Sequence, residues 1–310
     1  MRLKFASRPA TTKLMPSRLI INADDFGLTK GINRSIASLH SAGVLTSATL
    51  MATGAAFEDA VQTARQTPSL GVGCHVVLTD GVPASDPAKI PSLIGADGRS
   101  FRPSLLSFVQ ALLRGQISEA DIEREAEAQI ERLQLAGLSI THADTHKHTH
   151  LFPQVTRPLL KVLQRGGIRA IRNPFESAIT QKLTHAGLKR RTQIRILNQL
   201  RPAFERHTAL REGAIVTTHG ALGVSATGNL NPATLAEIIR TIPAEGDFEL
   251  VCHPGYNDAD LARVATRLRD HREVEMEALL SVIPAALAQP NPPRLIHFGN
   301  LAATDYGLSS

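Results

Sequence analysis

Between Thr141 and His150 the chain sets four histidines, His142, His146, His148 and His150, and one acid, Asp144, directly behind an apolar run. Imidazole is the commonest neutral metal ligand near pH 7, and alternate residues of an extended segment point to one side. The stretch reads as a candidate metal site, with a solvated His-rich loop as the competing reading. Elsewhere, Asp24 and Asp25 close one apolar run, His75 lies within a second, and His219 and His253 each end another. A carboxylate with two imidazoles and an open position suits a divalent ion that acts as a Lewis acid and lowers the pKa of bound water, so hydrolysis is the expected chemistry. Asp24 and Asp25 are neighbours that point to different sides. One can bind the ion while the other faces the attacking water, and His253 is a separate imidazole able to protonate a leaving group.

The elements that must position these groups are legible as alternating apolar runs and helical patterns. Runs at 18–23, 47–53, 71–78, 168–172, 214–219, 248–253 and 294–298, with the His-rich segment, predict strands; helices lie between them, the first capped by Thr29. Such alternation implies parallel pairing through right-handed crossovers, and seven or eight units close into a single-domain, TIM-like (β/α) barrel. The C-terminal ends of barrel strands form one face. Asp24, Asp25, His75, Asp144, His146, His219 and His253 are then gathered into one constellation. Residues 82–103 read as a Pro-rich insertion of the kind that forms a lid or mobile segment. The segment 182–206 is strongly basic, and Leu188, Ile194, Leu197, Leu200 and Phe204 recur in it at helical spacing. It predicts an amphipathic helix whose cationic face is either solvated or meets an anionic surface or ligand, a membrane included.

Composition narrows the classes. The chain has 310 residues, 43% of them apolar, with no run near the ~18 apolar residues of a membrane span. It has no Trp and only 4% aromatic residues, so the net charge of +6 argues weakly for nucleic acid, whose single strands need stacking platforms. Cys74 and Cys252 are too few for a disulfide scaffold, and a reducing cytoplasm fits them. Each neighbours a candidate site histidine, which raises a catalytic thiol, but strand alternation points both into the packing behind the site. Residues 1–17 read as a disordered extension, with Met15 as an alternative start, 18–301 as the barrel and 302–310 as a tail.

Four stretches carry a resemblance: 22–28 (NADDFGL), 73–79 (GCHVVLT), 141–146 (THADTH) with His148 and His150, and 252–255 (CHPG). In this order and with these gaps they resemble the motifs of the YdjC-type carbohydrate deacetylases, which include the chitooligosaccharide and hopanoid-biosynthesis-associated deacetylases. The resemblance spans roughly 18–300. It implies a distorted (β/α) barrel that removes acetyl groups from N-acetylated amino sugars, as chitooligosaccharide or glycolipid, with one divalent ion, magnesium or zinc. Carried over by motif, Asp25, His75 and His146 take the ligand places, Asp24 the base and His253 the acid. Asp144, His148 and His150 become supporting or substrate-contact groups, and Arg172 and Glu176 candidate contacts to sugar hydroxyls; His219, from its place at a strand end, is counted with the supporting groups. Lys147 departs from the pattern, standing where many relatives carry a further histidine. A metal- and sugar-binding barrel without turnover and a metal-dependent phosphodiesterase are the competing readings; a homodimer is a further expectation.

Overall fold

The computed structural model describes residues 16–184 and 187–302, so most of the expected N-terminal extension and of the tail lies outside the described residues. Seven strands form one parallel sheet: β1 (Arg18–Phe26), β2 (Ser47–Leu50), β3 (Gly71–Val76), β4 (Ala143–Thr145), β5 (Gly220–Leu222), β6 (Asp247–Cys252) and β7 (Arg294–Leu295). The order is β4-β3-β2-β1-β6-β5, and β7 pairs only with the first two residues of β1. β1 is therefore central, and its Leu19, Ile20, Ile21, Ala23 and Phe26 are all buried. A parallel strand covered on both faces reads as a continuous apolar run, as this one does. Helices cover the outer face; in Lys30–Ser41, Ile32, Ile36 and Leu39 are buried, and Thr29 Oγ1 accepts the Ile32 N–H at 3.2 Å as the expected cap.

The closed barrel of seven or eight strands is not what forms. Among the described residues strand ladders run through six strands as a curled half-barrel, and between β4 and β5 there are only isolated parallel bridges, Ala143–Ile171, Ala170–Val216 and Glu176–Ala221. The segments expected as strands at 168–172 and 214–219 meet only at a bridge, where Ile171 N donates to Val216 O at 3.0 Å and Val216 N to Arg169 O at 2.8 Å. Beyond it Pro174 has no N–H to give to a ladder, and the Asn173 side chain donates to Thr218 O at 3.0 Å and accepts from Phe175 N at 3.2 Å.

Three other expectations are revised. The His-rich stretch is extended only over Ala143–Thr145; His146–Leu151 then turns tightly, with left-handed backbone at Lys147 (φ 59) and His148 (φ 55), so its histidines do not line one side. The 82–103 insertion is latched to the helix Glu119–Leu135: the buried Glu125 carboxylate accepts from Ala84 N at 2.8 Å and Ser85 N at 3.0 Å, and Asp121 accepts from Ser92 N at 2.9 Å. The basic segment is broken into Ala178–Leu183, Leu188–Asn198 and Arg201–Glu205; Gly187 stands at the start of the second piece and Pro202 in the first turn of the third.

Candidate metal centre and its supporting charges

β1 ends in two carboxylates, and Asp25 adopts a left-handed backbone (φ 64) before Gly27 (φ 87), which turns its side chain away from the direction strand alternation would give. Its Oδ1 lies 3.7 Å from His75 Nε2, at the end of β3, and 3.8 Å from His146 Nδ1, just after β4. The two imidazole nitrogens are 3.3 Å apart. Bonds of about 2.0–2.2 Å at tetrahedral angles need donor atoms roughly 3.4 Å apart, so the three can hold one divalent ion from one side. His75 Nδ1–H donates to Asp144 Oδ1 at 2.7 Å, which leaves the Nε2 lone pair facing the other two donors. Asp25 Oδ2 accepts from Arg272 Nη2 at 2.6 Å.

The electrostatics fit a cation. The carboxyls of Asp24, Asp25, Asp144, Glu249 and Glu275 are buried around two buried guanidiniums, Arg172 and Arg272. Excess buried negative charge is costly unless compensated. Burial favours the neutral form of Asp25, but Arg272 and the surrounding histidines outweigh it and hold the carboxyl well below the usual range. For His75, burial lowers the pKa, yet Asp144, Asp24 and Asp25 lift it to about 9. Burial drops His146 to about 4 despite Asp25, so this ring is a neutral donor at physiological pH. Glu249 is raised by burial, against the pull of Arg172, to about 7.

Asp24 sits behind the triad. Its two oxygens are gripped by Arg172, Nη1 to Oδ2 at 2.8 Å and Nη2 to Oδ1 at 2.6 Å, with Asn22 and Thr49 donating to Oδ1 at 3.1 and 3.2 Å. Burial, which raises its pKa, is overcome first by Arg172, and Asp24 is held well below the carboxylate range. Arg172 does not reach a sugar: it is fully buried and also binds Asp144 and, at 2.8 Å through Nε, Glu249. His253, after β6, points Nε2 at Asp24 Oδ2 across 3.7 Å and has 14% of its side chain exposed.

The remaining expected residues separate. His219 is exposed at the opposite end of the sheet, accepting from Asp247 N at 2.9 Å where β6 begins; β5 starts at Gly220, so His219 precedes a strand instead of ending one and is not a site residue. His150 is buried and bonded to Thr145 Oγ1 at 2.8 Å, a brace for the turn. His148 and Glu176 line one small cavity; among the described residues His148 Nδ1 has no hydrogen-bond partner, while Glu176 Oε2 accepts from Ser225 N at 2.9 Å. Lys147 pairs with Asp80 at the rim. Cys74 and Cys252 are buried, and burial pushes both thiols up, so neither is a nucleophile. Sequence reasoning missed Arg272, Glu275 and Glu249. A signal existed for the first two: charges at i and i+3 on the face of Asp270–Leu287 that also buries Leu279 and Ile283.

A Brevibacillus brevis protein named carbohydrate deacetylase is 44% identical over 147 residues, 47% of this chain and 56% of that one. The chain thus spans just over half the length of that relative. A mouse protein of the same name is 32% identical over 252 residues, 77% of this chain and 78% of its own. In fold, a crystal structure from Enterococcus faecalis, described as a cellobiose-phosphate cleavage protein, superposes with a TM-score of 0.74 at 22% identity, over 93% of this chain and 99% of that one. The model of the YdjC-like protein family matches residues 18–289, a span that runs from β1 through His253 to Arg272 and Glu275, and the chain belongs to that family.

Proposed function

We propose that the protein is a metal-dependent carbohydrate N-deacetylase, which hydrolyses the acetamide of an N-acetylglucosamine unit. The observation that carries the reading is the convergence of Asp25 Oδ1, His75 Nε2 and His146 Nδ1 beside the Asp24–His253 pair. The relatives named carbohydrate deacetylase support it. Asp25, His75 and His146 would hold a divalent ion, and the chemistry it would supply is Lewis acidity toward a carbonyl and a bound water. Two imidazoles and one carboxylate favour zinc or another transition ion over magnesium.

The chain's own groups do the rest. Asp144 holds the His75 ring in its ligating tautomer. Asp24 is anionic throughout the neutral range because Arg172 holds it so, and it accepts the proton of the attacking water. The same grip makes it a weak base, suited only to a strongly acidified water. His253, partly exposed and 3.7 Å from Asp24, delivers a proton to the departing amine.

Within this class we favour a glycolipid acetamide over a free chitooligosaccharide. A cavity of about 410 Å³ opens between Ala178–Leu183 and Leu188–Asn198, bordered by Lys182, Arg191 and Arg195. On the same two helices Ile179 and Ile196 stand 65% and 55% exposed. Cations next to exposed aliphatic side chains suit the interface of an anionic membrane. Among the described residues no helix is long and apolar enough to cross a membrane, so the contact would be peripheral.

The test is acetate release by the zinc-loaded protein from N,N′-diacetylchitobiose and from an N-acetylglucosaminyl glycolipid in vesicles, with Asp24→Asn alongside. Acetate from the wild type, reduced on the order of 10³-fold in the variant with zinc retained, is expected. Zinc bound without acetate from either substrate would support the binding-only barrel.

A further inference from the structure

We infer that the first turns of the helix Asp270–Leu287 position both reacting ends of the site: Arg272 leaves Asp25 a single free oxygen for the ion, and Glu275 fixes the loop that carries His253. The inference rests on the assignment of Asp25 as ligand and His253 as proton donor. Arg272 is 1% exposed and reaches Asp25 Oδ2 with Nη2 at 2.6 Å, while its Nε donates to Leu268 O at 2.9 Å, which fixes the guanidinium plane. With Oδ2 so engaged, Oδ1 is the oxygen that faces His75 and His146. Asp25 is thereby a one-oxygen ligand of fixed direction.

One turn on, Glu275 Oε2 accepts the backbone N–H of His253 at 2.5 Å and lies 3.9 Å from the ring Nδ1. Among the described residues His253 Nδ1 has no hydrogen-bond partner. The imidazole is thus bracketed by carboxylates, Asp24 from β1 at Nε2 and Glu275 from the helix at Nδ1, with Arg272 Nη1 on His253 O at 3.5 Å. The same turns seize the rest of the loop: Asn257 N donates to Glu273 Oε1 at 3.0 Å, and Asn257 Nδ2 to Asp270 Oδ1 at 2.6 Å.

Gly255 explains how the loop can lie this close. A Cβ there would stand 2.9 Å from Ile32 Cγ1 and 3.1 Å from Arg272 Cδ, so a larger residue would crowd Ile32 and the stem of Arg272. Stability alone does not account for the arrangement, because buried ion pairs are seldom more stabilising than apolar residues of the same volume. The charges have a task that apolar residues could not perform: directing one oxygen and one imidazole.

The experiment is calorimetric titration of Zn²⁺ into the metal-free full chain, wild type beside Arg272→Gln, Arg272→Lys, Glu275→Gln and Glu275→Asp, with circular dichroism as the check on folding. Arg272→Gln is expected to weaken Zn²⁺ about 10–100-fold, and Arg272→Lys to recover part of that. Glu275→Gln is expected to keep Zn²⁺ affinity within about twofold. Its kcat should fall at least ~10-fold at constant KM, with Glu275→Asp intermediate. Wild-type affinity in Arg272→Gln, or a wild-type kcat in Glu275→Gln, overturns the inference alone. A wild type that takes up no Zn²⁺ overturns the metal reading and this inference with it.

Discussion

The two sides of the sheet are held together by different forces. From β4 through β3, β2 and β1 to β6, backbone ladders fix every strand, and the ends of these strands carry Asp24, Asp25, His75, His146 and His253. From β4 round to β5 the ladder lapses into isolated bridges. There a single side chain does the work of the missing strands: Arg172, from the bridged arc, binds Asp24 of β1, Asp144 of β4 and Glu249 of β6. The comparison teaches that the half-barrel is drawn together through its centre by charge where it is not closed round its edge by hydrogen bonds, and that the same charge cluster lies directly beneath the reacting groups.

The comparison can be broken most directly at Arg172. Replacement by Met should strand three buried carboxyls and cost roughly 3–5 kcal/mol in denaturant unfolding. A loss below about 1 kcal/mol would mean that the isolated bridges suffice to hold the arc.

Next in size is a pH effect on the laddered side. In the metal-free protein the folded His75 is raised to about 9 from 6.5. A raised basic group contributes stability that is complete below pH 6.5 and lost as pH rises through 9, here a few kcal/mol at most. Thermal melts in chelator should fall across that window, and zinc, by taking the place of the proton, should abolish the fall. A flat metal-free profile would contradict the packing of carboxylates round His75.

Smaller again is Gly73→Ala on β3, where a Cβ would stand 2.4 Å from the buried His142 ring. A loss of about 1–3 kcal/mol is expected in denaturant unfolding. Smallest is His219→Ala: the residue is exposed and away from the site, so turnover should be unchanged and stability altered by less than ~0.5 kcal/mol. A tenfold fall in kcat for this variant would restore it to the site.

What was legible in the sequence follows the same division. Apolar runs ending in Asp or His marked β1, β3 and β6 and put Asp24, Asp25, His75 and His253 at one end of the sheet, because buried parallel strands are near-continuous apolar segments. The bridged arc deceived the same reasoning. Residues 214–219 look like 248–253, an apolar run closed by His, but Asp247–Cys252 forms a ladder with β1 while the strand near His219 begins one residue later. No local pattern distinguishes them; Thr218 O is met by the side chain of Asn173, on a neighbouring segment, and not by a backbone N–H. His146 was found for an incomplete reason, since the turn at Lys147 and His148, not strand alternation, separates it from His148 and His150. Arg272 and Glu275 escaped because they project from a helix, where a charge ordinarily signifies solvent.

The central claim is that Asp25, His75 and His146 hold one divalent ion. Its most direct test is metal content and calorimetric stoichiometry of the zinc-loaded wild type against His146→Ala. One ion per chain in the wild type, and none retained by the variant after dialysis, is the predicted result. Equal occupancy in both, or no tight ion in the wild type, would contradict the account.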